Sequence, residues 1–182
     1  MKIYKLIPAL IIAFILQLSV IGNISIGGIA PSLILTFLMI TIFLFPSEVR
    51  TIAASIIVGL ALDLTVGKYL GVYALTLFLV ALFTVYYKGI CNNENKLSII
   101  PLTLVGTAIY NIVPFLFYLA LDVQVNIMKT VIFIGGSFVY NLIFMFIMYL
   151  LMIKKASYRP RRSQYERYET IWENILLQKK KE

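Results

Sequence analysis

The sequence predicts an all-α integral membrane protein, a bundle of six transmembrane helices with both termini on the cytoplasmic side. Three observations predict it. Of 182 residues, 61% are hydrophobic and mean hydropathy is +0.94, where a soluble domain is roughly half apolar. Apolar blocks recur as far as Ile153, whereas a signal peptide alone would give one. Charged residues make up only 13% of the chain and more than half of them fall in the last thirty positions.

The apolar segments, in order, are Ile7–Ile21, Ser32–Phe45, Ile52–Val66, Leu70–Tyr87, Leu97–Leu121 and Ile127–Ile153. Turn chemistry separates them. "GNISIGGIAP" carries three glycines and a proline, "PSEVR" a proline and two charges, "KGICNNENK" is polar throughout, and "LDVQVN" is short and holds Asp122. Segments this apolar close their backbone hydrogen bonds as helices. The alternating polarity of a β-barrel is missing. The first three segments are shorter than the roughly 20 residues of a straight span, so charge bias has to decide whether one is re-entrant. Six spans place fourteen basic residues inside, among them Arg50, Lys88 and Lys96, and only Lys68 and Lys129 outside. A re-entrant second segment would scatter them. The expected organisation is a membrane domain over residues 1–153 and a basic cytoplasmic tail over 154–182.

Composition also removes function classes. Histidine is absent and Cys91 is the single cysteine, so there is no internal disulfide, no Cys/His zinc site and no Ser-His or Cys-His pair. "VGKY" at Val66–Tyr69 is no P-loop, because the first glycine of that motif would fall at Leu62. No serine–lysine or paired-aspartate arrangement lies at membrane depth. The reading is a non-enzyme with no catalytic, cofactor or metal residue. The net charge of +8 flanks spans, which explains it by orientation without nucleic acid.

Asp63 stands out inside an apolar run. Ser55, Gly59 and Asp63 are spaced by four and share one helix face, and small residues at that spacing let another helix approach closely. A lipid-facing ionised carboxylate would cost at least ~2.5 kcal/mol, so Asp63 faces the packed side. It either anchors the turn between the third and fourth helices, by capping or by pairing with Lys68 and with Gly67 and Gly71 supplying the turn, or it serves as a proton, cation or partner-helix site.

Residues Pro31 to Ala81 resemble the core of the MreD family of rod-shape-determining proteins. The resemblance rests on Pro31 opening the second span, Arg50 in a short loop, and the run Gly59, Leu60, Asp63, Gly67, Leu70 and Gly71. It implies a non-enzymatic scaffold subunit of the cell-wall elongation complex in the bacterial inner membrane. The implied partners are an MreC-like single-span protein, the RodA glycosyltransferase with its penicillin-binding transpeptidase, and MreB filaments as a further candidate. It also implies a fold like that of the substrate-binding S components of energy-coupling-factor transporters. Those dock through an alanine motif, for which Ala9 and Ala13 are the counterpart here. This keeps a second function in view, a small-molecule-binding transporter subunit, with Asp63, Lys68, Asn23 and Gln124 as candidate ligands.

Other polar and small positions read as packing. Gln17, Asn111 and Asn141 each offer a hydrogen bond to a neighbouring helix. Pro114 is expected to kink the fifth helix, and Gly135 and Gly136 to admit a close crossing. In the tail, Lys154, Lys155, Arg159, Arg161 and Arg162 follow the last span and suit an anionic inner leaflet. Ser163 and Glu166 have capping-box spacing. A stripe including Ile171, Trp172 and Ile175 then predicts a short amphipathic helix that lies on the membrane lipid or docks a cytoplasmic partner.

Overall fold

A computed structural model describes residues 3–19, 29, 31–45, 48–67, 69–91, 96–122 and 127–153. Among the described residues the regular structure is six α-helices: α1 (Ile3–Ser19), α2 (Leu33–Leu44), α3 (Glu48–Thr65), α4 (Val72–Ile90), α5 (Ile99–Ala120) and α6 (Ile127–Ile153), with a 3-10 turn, Lys96–Ser98, leading into α5. Three of them, within α4, α5 and α6, are long and apolar enough to cross a membrane, while α1 and α2 contain shorter apolar helices.

Local chemistry sets the boundaries. Ser32 caps α2 from an extended conformation, its side chain accepting the Leu35 N–H. At the other end, Phe45 is extended because it precedes Pro46, and a residue before proline is driven out of the α region. The first glycine after the α3–α4 turn, Gly71, caps α4 with φ +98°, a left-handed conformation that disfavours any Cβ. Asp122 ends α5 in the same region, with φ +52°. α5 runs continuously through Pro114.

Helix α2 is the centre of the molecule. It packs against α1, α3, α4, α5 and α6, and every residue from Ile34 to Phe43 is buried. Its sequence, LILTFLMITIFL, is apolar all round, as a fully enclosed helix should be. Gly106 of α5 makes this tight packing possible, since the Met39 side chain fills the place where a Cβ would be. The surrounding helices turn apolar side chains outward, Ile57, Leu64 and Leu151 among them, each more than 60% exposed. That is the surface expected of a protein dissolved in lipid.

The bundle has two ends. The α3–α4 turn lies at one, the Asp63 end. The junction of α2 with the last turn of α4 lies at the other, the Lys88 end. α4 continues past the expected limit at Tyr87 to Ile90, which puts Lys88 inside the helix.

Candidate functional site

At the Asp63 end, α3 and α4 form the most extensively packed helix pair. Ser55, Gly59 and Asp63 are all buried in this interface. A Cβ on Gly59 would run into the Ala74 Cα, and would lie 2.8 Å from the Ala74 nitrogen and 2.9 Å from the Tyr73 carbonyl oxygen. The two backbones therefore touch at Gly59, and only glycine fits. One turn further along, the Asp63 carboxylate meets the start of α4. Its Oδ2 accepts the N–H of Gly71 at 2.9 Å and of Ala74 at 3.1 Å, and its Oδ1 accepts the N–H of Tyr73 at 2.8 Å. These are the capping position and two amides of the first turn, donors that have no carbonyl partner within their own helix. Asp63 is thus an N-cap supplied from a different helix, with its negative charge on the positive end of the α4 dipole. Gly67 belongs to the same corner, as a Cβ there would sit 2.7 Å from the Asp63 carbonyl oxygen.

Pro31 and Ser32 lie at the start of α2, where two further side chains close around the backbone. The Ser32 N–H donates to Asn141 Oδ1 on α6 at 2.8 Å, and the Leu33 N–H donates to Gln17 Oε1 on α1 at 2.7 Å. The Gln17 amide donates back to the Pro31 carbonyl at 3.3 Å, and the Asn141 amide to Thr107 Oγ1 on α5 at 3.3 Å. These two amides hold α1, α2, α5 and α6 together at one point. The sequence offered each as a generic helix-to-helix contact; their convergence on one helix end is a product of the fold.

At the opposite end, Lys88 was expected in a polar loop. It is instead 2% exposed, and its Nζ donates to the Phe45 carbonyl, the C-cap of α2, at 2.7 Å. A lysine on the last carbonyls of a helix complements the negative end of the dipole. No hydropathy signal marks this role, because the contact joins residues 43 positions apart.

Above the start of α2 the bundle is not filled. A cavity of about 460 Å³ lies there, with Gln17, Tyr73, Tyr110, Asn111, Tyr118 and Asn141 among its polar walls. Asp63 is not among the residues lining it, and its oxygens are occupied by α4. Among the described residues no three His, Cys, Asp or Glu side chains gather into a metal-binding group.

The other sequence candidates are placed as follows. Ala13 is buried and Ala9 half-buried against the core. Gly136 makes room for the Ile29 side chain, whereas Gly135 has open space where its Cβ would be. Cys91 is a half-buried free thiol. Lys68, Asn23, Gln124, Trp172 and the basic residues Lys154, Lys155, Arg159, Arg161 and Arg162 lie outside the described residues.

No curated protein and no solved structure matches the chain. A family model described as rod shape-determining protein MreD matches residues 1–157. That span contains every contact described above, and the chain belongs to the MreD family, whose role is in determining rod shape.

Proposed function

We propose that this protein is a non-enzymatic scaffold of the cell-wall elongation machinery, spanning the bacterial inner membrane six times with both termini in the cytoplasm. In this reading it presents packed helices to the single transmembrane helix of an MreC-like partner and holds that partner over the wall synthases, RodA and its transpeptidase. The family match over residues 1–157 carries the proposal. The use of the polar side chains supports it. Asp63, Gln17, Asn141 and Lys88 each hold a helix end, so they set the shape of a binding surface. Fourteen basic residues against two support the orientation. The contacts proposed for Ala9, Ala13, Trp172 and the basic tail, with lipid or with MreB, are subject to the same test.

That test is co-purification. The N-terminus is tagged, the protein is extracted gently from its native membrane, and the accompanying proteins are identified. An MreC-like single-span protein with wall synthases is the expected result. Gly59→Leu should abolish both the co-purification and normal cell shape. Recovery of an ATPase-bearing coupling module, or a Gly59→Leu strain with normal shape and normal partners, overturns the proposal.

A further inference from the structure

The cavity has a structural cause. Helix α2 is 12 residues long, about 18 Å, against a hydrocarbon core of roughly 30 Å. Its first turn sits beside Asn141, which lies about 21 Å along α6 from Ile127. The central helix therefore stops partway through the bundle, and its capped N-terminus forms the floor of the space left above it. Cavity-lining residues on α6 run from Thr130 to Asn141, so the space is a slot about 16 Å long.

Three features of this slot point to an occupant. First, its described walls carry no charged side chain. Second, several hydrogen-bonding groups on them are uncommitted. Among the described residues the Tyr73 and Tyr118 hydroxyls and Asn111 Oδ1 have no partner, since the Asn111 amide alone is used, on the Thr107 carbonyl. Pro114 has no N–H to give the Tyr110 carbonyl behind it. Third, α1 and α6 do not pack on each other among the described residues. Leu18 of α1 and Phe133 of α6 both line the slot and are about two-fifths exposed, so its side opens among lipid-facing residues. A space of this size with apolar walls and a few convergent polar groups is the usual form of a small-molecule site.

We infer that the slot binds an uncharged amphipathic molecule bearing hydroxyl or amide groups, held by Tyr73, Asn111, Tyr118 and the Tyr110 carbonyl. This goes beyond the scaffold reading and does not depend on it. A charged ligand would be desolvated there without a counter-charge. The source is either the membrane, through the α1–α6 side, or the aqueous phase.

Photolabelling of the full-length protein in native-lipid nanodiscs tests the inference. The membrane probe is a diazirine-bearing hexadecanol and the water-soluble probe a diazirine-bearing benzyl alcohol. Matching hexadecyl sulfate and hexadecyltrimethylammonium diazirines are the charged controls. Adducts are mapped by peptide mass spectrometry. One alcohol, which identifies the source, should label segments 110–118 and 130–141 at least fivefold more than either charged control does. Tyr118→Phe and Asn111→Leu should each cut that labelling at least threefold with no change in the thermal unfolding midpoint. Ser137→Trp, which fills the slot, should abolish it. Labelling confined to outward positions such as Val131, Ile132 and Val139 overturns the inference. So does equal labelling by the charged controls, or labelling unaffected by Tyr118→Phe and Asn111→Leu. Adducts that vanish only when a single-span partner is co-expressed, and that ignore those two variants, would assign the slot to a protein helix instead.

Discussion

Asp63 is 3% exposed and accepts three backbone N–H donors. Hydrogen bonds to a charged acceptor are worth about 1.5–3 kcal/mol each, and donors left bare in the interior cost further. Asp63→Ala should therefore destabilise the protein by about 3 kcal/mol, the contributions not being additive. Asp63→Asn is the sharper variant, because its NH₂ group would point a donor at a donor. It should lose less than alanine but measurably, in thermal unfolding of the detergent-solubilised protein, because its one oxygen can still accept the Gly71 and Ala74 N–H groups while its NH₂ faces the Tyr73 N–H. An asparagine variant that melts like the parent would show that the carboxylate is not acting as a cap. The presence of a buried acid was legible in the sequence, since Ser55, Gly59 and Asp63 fall on one face. Its role was legible only as one of two alternatives. The deciding donors belong to Tyr73 and Ala74, whose amides become acceptor-hungry only once α4 begins at Val72.

At the scale of elements, two glycines fifteen and three residues before Ala74 behave differently for separate reasons. Gly59 is required by contact between backbones and Gly71 by its left-handed φ with empty space around it. Gly71→Ala should cost about 1 kcal/mol. Gly59→Ala forces α3 and α4 apart and should cost about 3 kcal/mol, the upper end of overpacking. Comparing unfolding midpoints of the two variants checks the order; a Gly71 variant weaker than the Gly59 variant contradicts this packing. Lys88→Met keeps the apolar stem and removes the donor to the Phe45 carbonyl. It should lower stability by about 2 kcal/mol, measured by denaturant titration, and an unchanged midpoint would mean that the α2 C-cap is not held by Lys88. Helix limits followed closely from hydropathy where an apolar run met turn residues, as at Ile127 and Ile153. They failed at Glu48–Arg50, where α3 begins inside the expected short loop, and at Tyr87–Lys88. A lysine reads as a loop residue until the fold brings a helix C-terminus against it.

At the scale of the molecule, the proposed orientation, argued from charge bias, puts the Lys88 end at the cytoplasmic face. The native Cys91 provides a reporter beside it. A membrane-impermeant maleimide should label Cys91 in inverted vesicles and not in intact cells. An Asp122→Cys chain carrying Cys91→Ser should show the opposite pattern. Labelling of both positions from one side would break the six-span orientation. What no sequence pattern revealed is the cavity above the start of α2. It arises because the shortest helix is also the central one, and centrality is a property of all six helices together.

The two kinds of helix cap differ in how far apart their partners lie along the chain. Asp63 reaches Tyr73 over ten residues, whereas Ser32 waits for Asn141 over 109. Contacts that close short loops form early, and distant ones await the rest of the chain. During synthesis the α3–α4 corner can be complete as soon as its own residues have left the ribosome. The central helix, made earlier, keeps a bare amide until the final helix arrives. The cap of the central helix is therefore complete only with the last span, and a chain lacking α6 leaves the Ser32 N–H without its Asn141 partner while Gln17 still holds Leu33.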